Sequence, residues 1–181
     1  MFFKRIIFFL ILGVFYQNPL HSKSNSLNDF DGNNLSKYFS GIVALENKEN
    51  SRALQFLSSS KILLNKHNPY LKKYVYSLVL EDKVSQAINV VKRNLDKENS
   101  DFLEAHLLLI LDSLKKGQFD KAYDYSIKAI NSPTNDRFNS AIIKILKQYI
   151  YVFKEKKFLK NKEDFGKLSN ISETFQKCYL A

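Results

Sequence analysis

Apolar residues recur every three or four positions along much of the chain, which is the spacing of one face of an α-helix. In the middle of the chain they also occupy a second side, as expected for a helix buried between neighbours. A similar pattern predicts a long helix from Asp136 to Lys160, and Asn170 with Glu173 predicts the capped start of a last helix. The apolar strips of the middle and long helices are Leu103, Leu107, Ile110, Leu111, Leu114 and Phe138, Ile142, Ile145, Leu146, Tyr149, Ile150, Phe153.

Residues that break helices are scarce. The 181 residues include five glycines and three prolines, too few for an all-β chain that must turn about every ten residues. Together with the periodicity, this predicts an all-α protein.

Small residues recur at a fixed interval. Ala53, Ala87 and Ala122 occupy similar local sequences and are separated by 34 and 35 residues. Helices can approach closely only where side chains are small, so such positions predict helix crossings. One helix pair cannot bury its apolar face alone, and stacking of neighbouring pairs would complete the core.

The third of these units is similar to a tetratricopeptide repeat, a family with a period of about 34 residues. In this unit a glycine ends the first helix, an aromatic residue opens the second and two alanines follow, while the first unit has a glycine twelve residues before its alanine. The residues that match the packing positions of the family are Gly41, Ala53, Ala87, Gly117, Phe119, Ala122 and Ala129.

The resemblance, to an exported bacterial type of this family, implies a right-handed α-solenoid of about three to four antiparallel helix pairs. Its repeats would span residues 34–67, 68–102 and 103–134. Residues 135–181 would form a C-terminal helix pair, either a divergent fourth repeat or a cap. A chain that is truncated, or that continues into further repeats after Ala181, stays open at this point.

The amino terminus has the layout of a secretory signal peptide. Lys4 and Arg5 precede an apolar run of ten residues from Ile6 to Phe15, about half the length of a membrane-spanning helix. We expect a signal peptide over residues 1–24, cleaved after Ser24, or an uncleaved anchor, followed by a flexible lead-in over 25–33. In a bacterial cell either arrangement places the chain in the periplasm, and the anchor would attach it to the inner membrane.

The chain is basic, with 28 Lys and Arg, 18 Asp and Glu and a formal net charge of +10. Because arginine, the better residue for bidentate contacts to phosphate and bases, is scarce, we do not expect nucleic acid as a partner. A lysine-rich segment has two open interpretations, a solvated helix face or peripheral contact with an anionic membrane. Its lysines are Lys144, Lys147, Lys154, Lys156, Lys157, Lys160 and Lys162.

No catalytic, metal or cofactor motif is found in the sequence. Cys178, the single cysteine, has no general base nearby in sequence that would activate it as a nucleophile, and is predicted to be a buried structural residue. His106 is predicted to be packed in the core, and no histidine pair has the spacing of a zinc site. We therefore expect a protein that is not an enzyme and has no cofactor.

The resemblance also implies a binding surface, since the first helix of each tetratricopeptide unit lines a concave groove. We expect a groove that suits an apolar or amphipathic segment of a partner protein, unless a later helix of this chain fills it. The predicted function is a periplasmic scaffold for protein interaction. The alternatives are a membrane-anchored structural protein of the envelope and an accessory repeat module of a longer protein. The predicted groove residues are Tyr38, Ile42, Lys72, Tyr76, Leu107 and Leu111.

Overall fold

The computed structural model describes residues 32–95, 97, 100–132, 137–159 and 167–181, whose regular structure is entirely helical. The prediction of an all-α protein is thus confirmed for these residues. The predicted signal peptide or anchor lies outside them, as does most of the lead-in. Gly32 and Asn33 already belong to the first helix, so the lead-in does not extend to residue 33.

Eight α-helices and one short 3-10 helix follow each other in the described residues, joined by short turns where the connections are described. Their bounds are α1 Gly32–Glu46, α2 Asn50–Ser58, η1 Lys61–Asn65, α3 Asn68–Leu80, α4 Val84–Arg93, α5 Leu103–Lys115, α6 Phe119–Ile130, α7 Arg137–Glu155 and α8 Lys167–Leu180.

Each helix packs on the next one along the chain from α2 to α8, and α3 also contacts α5, which contacts α7. The first helix joins this series through aromatic rings, since the ring centroids of Tyr38 in α1 and Tyr70 in α3 lie 5.9 Å apart. Contacts between elements are therefore mostly between near neighbours in the sequence.

The same turn connects the helices of three successive pairs. In each turn one residue adopts a left-handed conformation, with φ of 61° at Lys48, 55° at Asp82 and 68° at Gly117. The next amide donates a hydrogen bond back to the carbonyl five residues earlier, which is the Schellman arrangement at a helix end. These bonds join Glu49 N to Ala44 O (2.9 Å), Lys83 N to Leu78 O (2.9 Å) and Gln118 N to Ser113 O (2.8 Å).

Small residues lie where paired helices meet. Ala53, Ala87 and Ala122, each five residues after a left-handed turn residue, are completely buried. Gly41 in α1 lies against α2, where an added Cβ would be 2.8 Å from Leu57 Cγ. Since Leu57 is itself fully buried, its side chain has little room to move away.

The remaining predicted packing residues lie at or near the α5–α6 pair. Gly117 is exposed in the turn, Phe119 is half-buried at the start of α6, and Ala129 is buried near the end of α6. Ala122 and Ala129 belong to a buried cluster that extends into α7 through Ile143 and Ile150.

Two predicted helix bounds are wrong. The long helix ends at Glu155 and not at Lys160, because Lys156 adopts φ of 53° and its amide closes the last turn on Val152 O. The last helix begins at Lys167, which puts Asn170 inside it. The carbonyl of Asn170 accepts a hydrogen bond from Thr174 Oγ1 (2.9 Å), so this residue is not the cap that its sequence context indicates.

The left-handed conformation shared by these turns predicts that removing a glycine and introducing one have different effects on folding stability. Gly117→Ala places a Cβ in a left-handed conformation, which costs about 1 kcal/mol of folding stability. Lys48→Gly removes such strain, and we expect it to be neutral or slightly stabilising, because the gain is partly offset by a more flexible unfolded chain. Urea unfolding followed by circular dichroism measures both changes. Equal losses of stability in the two variants would contradict the shared turn geometry.

Candidate functional site

The predicted groove residues differ widely in exposure. Tyr76 is 49% exposed and Leu111 is 53% exposed. Lys72 is also exposed, whereas Ile42 and Leu107 are half-buried. These side chains belong to the first helices of the three pairs, α1, α3 and α5.

Tyr38 is buried, which contradicts its predicted place on the binding surface. Its ring packs edge-on against His67, with centroids 4.8 Å apart, and lies beside Tyr70. Burial raises the pKa of the Tyr38 hydroxyl above its usual value. The residue therefore joins α1 to α3 and is not available to a partner.

An ion pair connects the exposed faces of α3 and α5. Lys72 Nζ lies 3.1 Å from Glu104 Oε1, and also 5.9 Å from the centroid of the Phe102 ring. One turn further along α3 is Tyr76, and two turns along α5 is Leu111, because residues three or four apart share a helix face. The surface formed by Lys72, Tyr76, Leu107 and Leu111, here called the α3–α5 face, thus combines one charged pair with exposed apolar groups.

A second charged cluster fixes α4 against α5. Asp112, whose side chain is only 11% exposed, lies 2.7 Å from Lys92 Nζ and 2.8 Å from Lys116 Nζ. Hydrogen bonds from Lys116 and Lys92 hold the pKa of the Asp112 carboxyl below its usual value. Hydrogen bonding to Asp112 likewise raises the pKa of Lys92. This cluster is structural, because it joins two helices through a largely buried carboxylate.

His106 and Cys178 were both predicted to be buried, and the structure agrees with that prediction only for His106. His106 is largely buried and its Nε2 lies 2.7 Å from Asp101 Oδ1, on the wall of a cleft of about 570 Å³. Cys178 is exposed, so its predicted burial is wrong. Gln176 of α8 is buried. Cys178 is two residues further along, which is about 200° around the helix, so its thiol points outward.

Two clefts lined in part by apolar side chains were missed by reasoning from the sequence. One, of about 490 Å³, lies between α1 and α2 and includes the exposed side chains of Phe39 and Val43. The other, of about 510 Å³, lies between α6 and α7 and includes Tyr123 and Tyr151. The sequence does contain a signal for both clefts, namely aromatic or branched residues on the otherwise polar sides of amphipathic helices.

The described residues contain no group of three or more His, Cys, Asp or Glu side chains placed to hold a metal ion. None of the described helices combines the length and the apolar character needed to cross a bilayer. In the lysine-rich segment, Lys154 pairs with Asp120 at 2.7 Å, while Lys160 and Lys162 lie outside the described residues.

Comparison with protein-family models, with curated proteins and with solved structures found no match for this chain. The resemblance to tetratricopeptide repeats therefore stays a prediction from the residues of the sequence.

The Asp112 cluster predicts a dependence of stability on pH. A carboxyl whose pKa is lowered on folding contributes stability that is complete above its unfolded pKa, about 3.9, and is lost as the pH falls through the folded value. We expect Asp112→Asn to lose about 1 kcal/mol near pH 7, and the difference from wild type to shrink as the pH falls below about 4.

Urea unfolding over this pH range measures the difference. Asp124→Asn, at an exposed position of α6, is the matched control and should have little effect at any pH. A loss in Asp112→Asn that stays constant as the pH falls would exclude the charged interaction as its cause.

Proposed function

We propose that this protein is a non-catalytic helical-repeat scaffold that binds another protein along the α3–α5 face. The observation that carries the proposal is the recurrence of one unit: a left-handed turn residue, a Schellman hydrogen bond and a buried alanine five residues later, at intervals of 34 and 35 residues. This is the spacing of a tetratricopeptide-like repeat.

In this proposal the pairs α1–α2, α3–α4 and α5–α6 are three repeats, and α7–α8 is a divergent fourth or a cap. They would stack as a right-handed α-solenoid. The contacts of α3 with α5, and of α5 with α7, support the arrangement, because first helices of successive repeats pack side by side in such a stack. Tyr38 and Tyr70 supply the equivalent contact between α1 and α3.

The proposed occupant of the α3–α5 face is an apolar or amphipathic segment of a partner. Tyr76 and Leu111 expose about half of their surfaces, and tyrosine is frequent among residues that dominate binding energy. Lys72 and Glu104 form an exposed pair beside them that can orient polar groups of the segment. An amphipathic helix in a groove uses this combination of a few apolar anchors and flanking polar contacts.

This proposal predicts the loss of a partner from specific variants. With the whole chain as bait in envelope extracts, we expect Tyr76→Ala and Lys72→Glu each to reduce recovery of a specific partner about tenfold, because the anchors contribute most of the binding energy. Ile62→Ala, an exposed apolar position on η1, and Lys121→Glu, an exposed lysine of α6, are the matched controls. Equal recovery with all four variants would remove the α3–α5 face from the proposal.

We further propose that the scaffold is exported and works in the periplasm. The support is the order of Lys4 and Arg5, a short apolar run and the small residues Ser22 and Ser24. Mass spectrometry of the protein from its native cells should find an amino terminus at Asn25. A mature chain that keeps residues 1–24 would instead favour the membrane-anchored alternative.

A further inference from the structure

The cleft between α1 and α2 lies on a face of α1 whose counterparts in α3 and α5 are buried. Three residues of α1 that line the cleft have equivalents 34 residues later in α3 and a further 35 residues later in α5. The three sets are Ser36, Ser40, Val43, then Tyr70, Tyr74, Ser77, then Ala105, Leu109, Asp112. In α3 and α5 these residues are fully buried, apart from Asp112, whose side chain is 11% exposed. In α1, Val43 is 59% exposed.

The preceding helix pair covers this face in α3 and in α5. The hydroxyl of Tyr70 in α3 donates a hydrogen bond to Leu57 O of α2. The carboxylate of Asp112 in α5 lies 2.7 Å from Lys92 Nζ of α4. The same face of each first helix therefore receives the second helix of the pair before it.

This face of α1 is open. Among the described residues α1 is the first helix, and the exposure of Val43 and of Phe39 shows that no other described helix covers it. Small serines stand where α3 has tyrosines, which leaves a hollow of about 490 Å³ that Phe39, Val43 and Phe56 line. The cleavage proposed above leaves residues 25–31, seven in all, before α1. This is about two helical turns, too short for a helix and a turn that fold back across the cleft.

The last described helix, α8, exposes an apolar stripe. Ile171 is 64% exposed and Phe175 is 46% exposed. Cys178 is also exposed and lies on the same side of α8, because residues three or four positions apart share a helix face. A stack of helix pairs stays soluble as a single unit when its end faces are polar. Both described ends of this chain instead expose large apolar side chains.

We propose that copies of this protein associate head to tail, with the α8 stripe (Ile171, Phe175 and Cys178) of one copy seated in the α1–α2 cleft of the next. This contact continues the one that joins successive pairs within the chain, where a second helix packs on the following first helix. A second copy is the favoured occupant because each chain has the receiving face on its first pair and the exposed apolar helix in its last. The protruding side chains of the stripe match the hollow in the cleft.

The inference rests on the pairing of helices in the proposed function. It goes beyond that function, since neither the α1–α2 cleft nor the α8 stripe belongs to the α3–α5 face.

The mass of the protein at increasing concentration tests the proposal. A contact between two different surfaces does not close on itself, so copies should continue to add beyond the dimer. In analytical ultracentrifugation of the protein purified from its native cells, we expect the average mass to rise past that of two chains. Val43→Glu and Ile171→Glu should each stay at the mass of one chain, because each places a charge in an apolar contact. Ile62→Glu, at an exposed isoleucine of η1 outside both surfaces, is the matched control and should associate like wild type.

Mixing the two variants distinguishes a head-to-tail contact from a symmetric one. Val43→Glu retains an intact α8 stripe, and Ile171→Glu retains an intact cleft. An equal mixture should therefore form dimers and nothing larger, which also shows that both variants remain folded. A mixture that stays at the mass of one chain, while wild type associates, would overturn the proposal.

The single cysteine of the chain provides a covalent test. In Val43→Cys, a short bismaleimide should join Cys178 of one copy to the introduced thiol of the next and give a ladder of dimers, trimers and longer products on a denaturing gel. Wild type has one thiol per chain and can give dimers at most. Ile62→Cys also has two thiols, but one lies outside both surfaces, so we expect no ladder.

A wild-type mass that stays at one chain at every concentration would overturn the proposal, as would equal ladders from Val43→Cys and Ile62→Cys. If the cleft instead holds a helix of another protein, wild type stays a single chain and Val43→Glu loses that partner from envelope extracts. Tyr76→Ala and Lys72→Glu should associate with other copies like wild type. Failure of the head-to-tail contact is thus distinguishable from failure of the α3–α5 face.

Discussion

Close contact between paired helices is the constraint on which the rest of this structure depends. Helix axes can approach only where little side-chain volume separates them, and Gly41, Ala53, Ala87 and Ala122 occupy such places. A larger residue at Gly41 would displace Leu57, which fills the core beneath it. The smallest residues of each helix pair thus determine the distance between its two helices. The same pairs carry the polar and aromatic residues of the outer faces.

Much of the helical organisation could be predicted from the sequence, because it is a local property. The 3.6-residue periodicity gives the helices, and Gly117 followed by Phe119 gives the boundary between α5 and α6. The equivalent turns at Lys48 and Asp82 are less evident in the sequence, since the left-handed conformation is associated with glycine. In those turns the hydrogen bonds and the following helix enforce a conformation that the residue type alone does not indicate.

The candidate surfaces depend on contacts between residues distant in sequence, which periodicity does not contain. Tyr38 has the same spacing as Lys72 in its own unit, yet the rings of His67 and Tyr70 cover it. Tyr123 and Tyr151 line the same cleft between α6 and α7. In the sequence, each is a single aromatic residue on the polar side of its own helix. Asn170 is a residue type that often caps the start of a helix, but α8 already begins at Lys167, about one turn earlier.

The outward position of Cys178 has a practical consequence for studying this molecule. It is the sole cysteine of the chain, and it lies on the exposed side of α8 next to Tyr179, whose ring packs on Phe153 of α7. A maleimide dye or nitroxide would therefore attach at one known position without any engineered substitution. Such a reporter would detect separation of α8 from α7 directly, and would do so in the natural sequence.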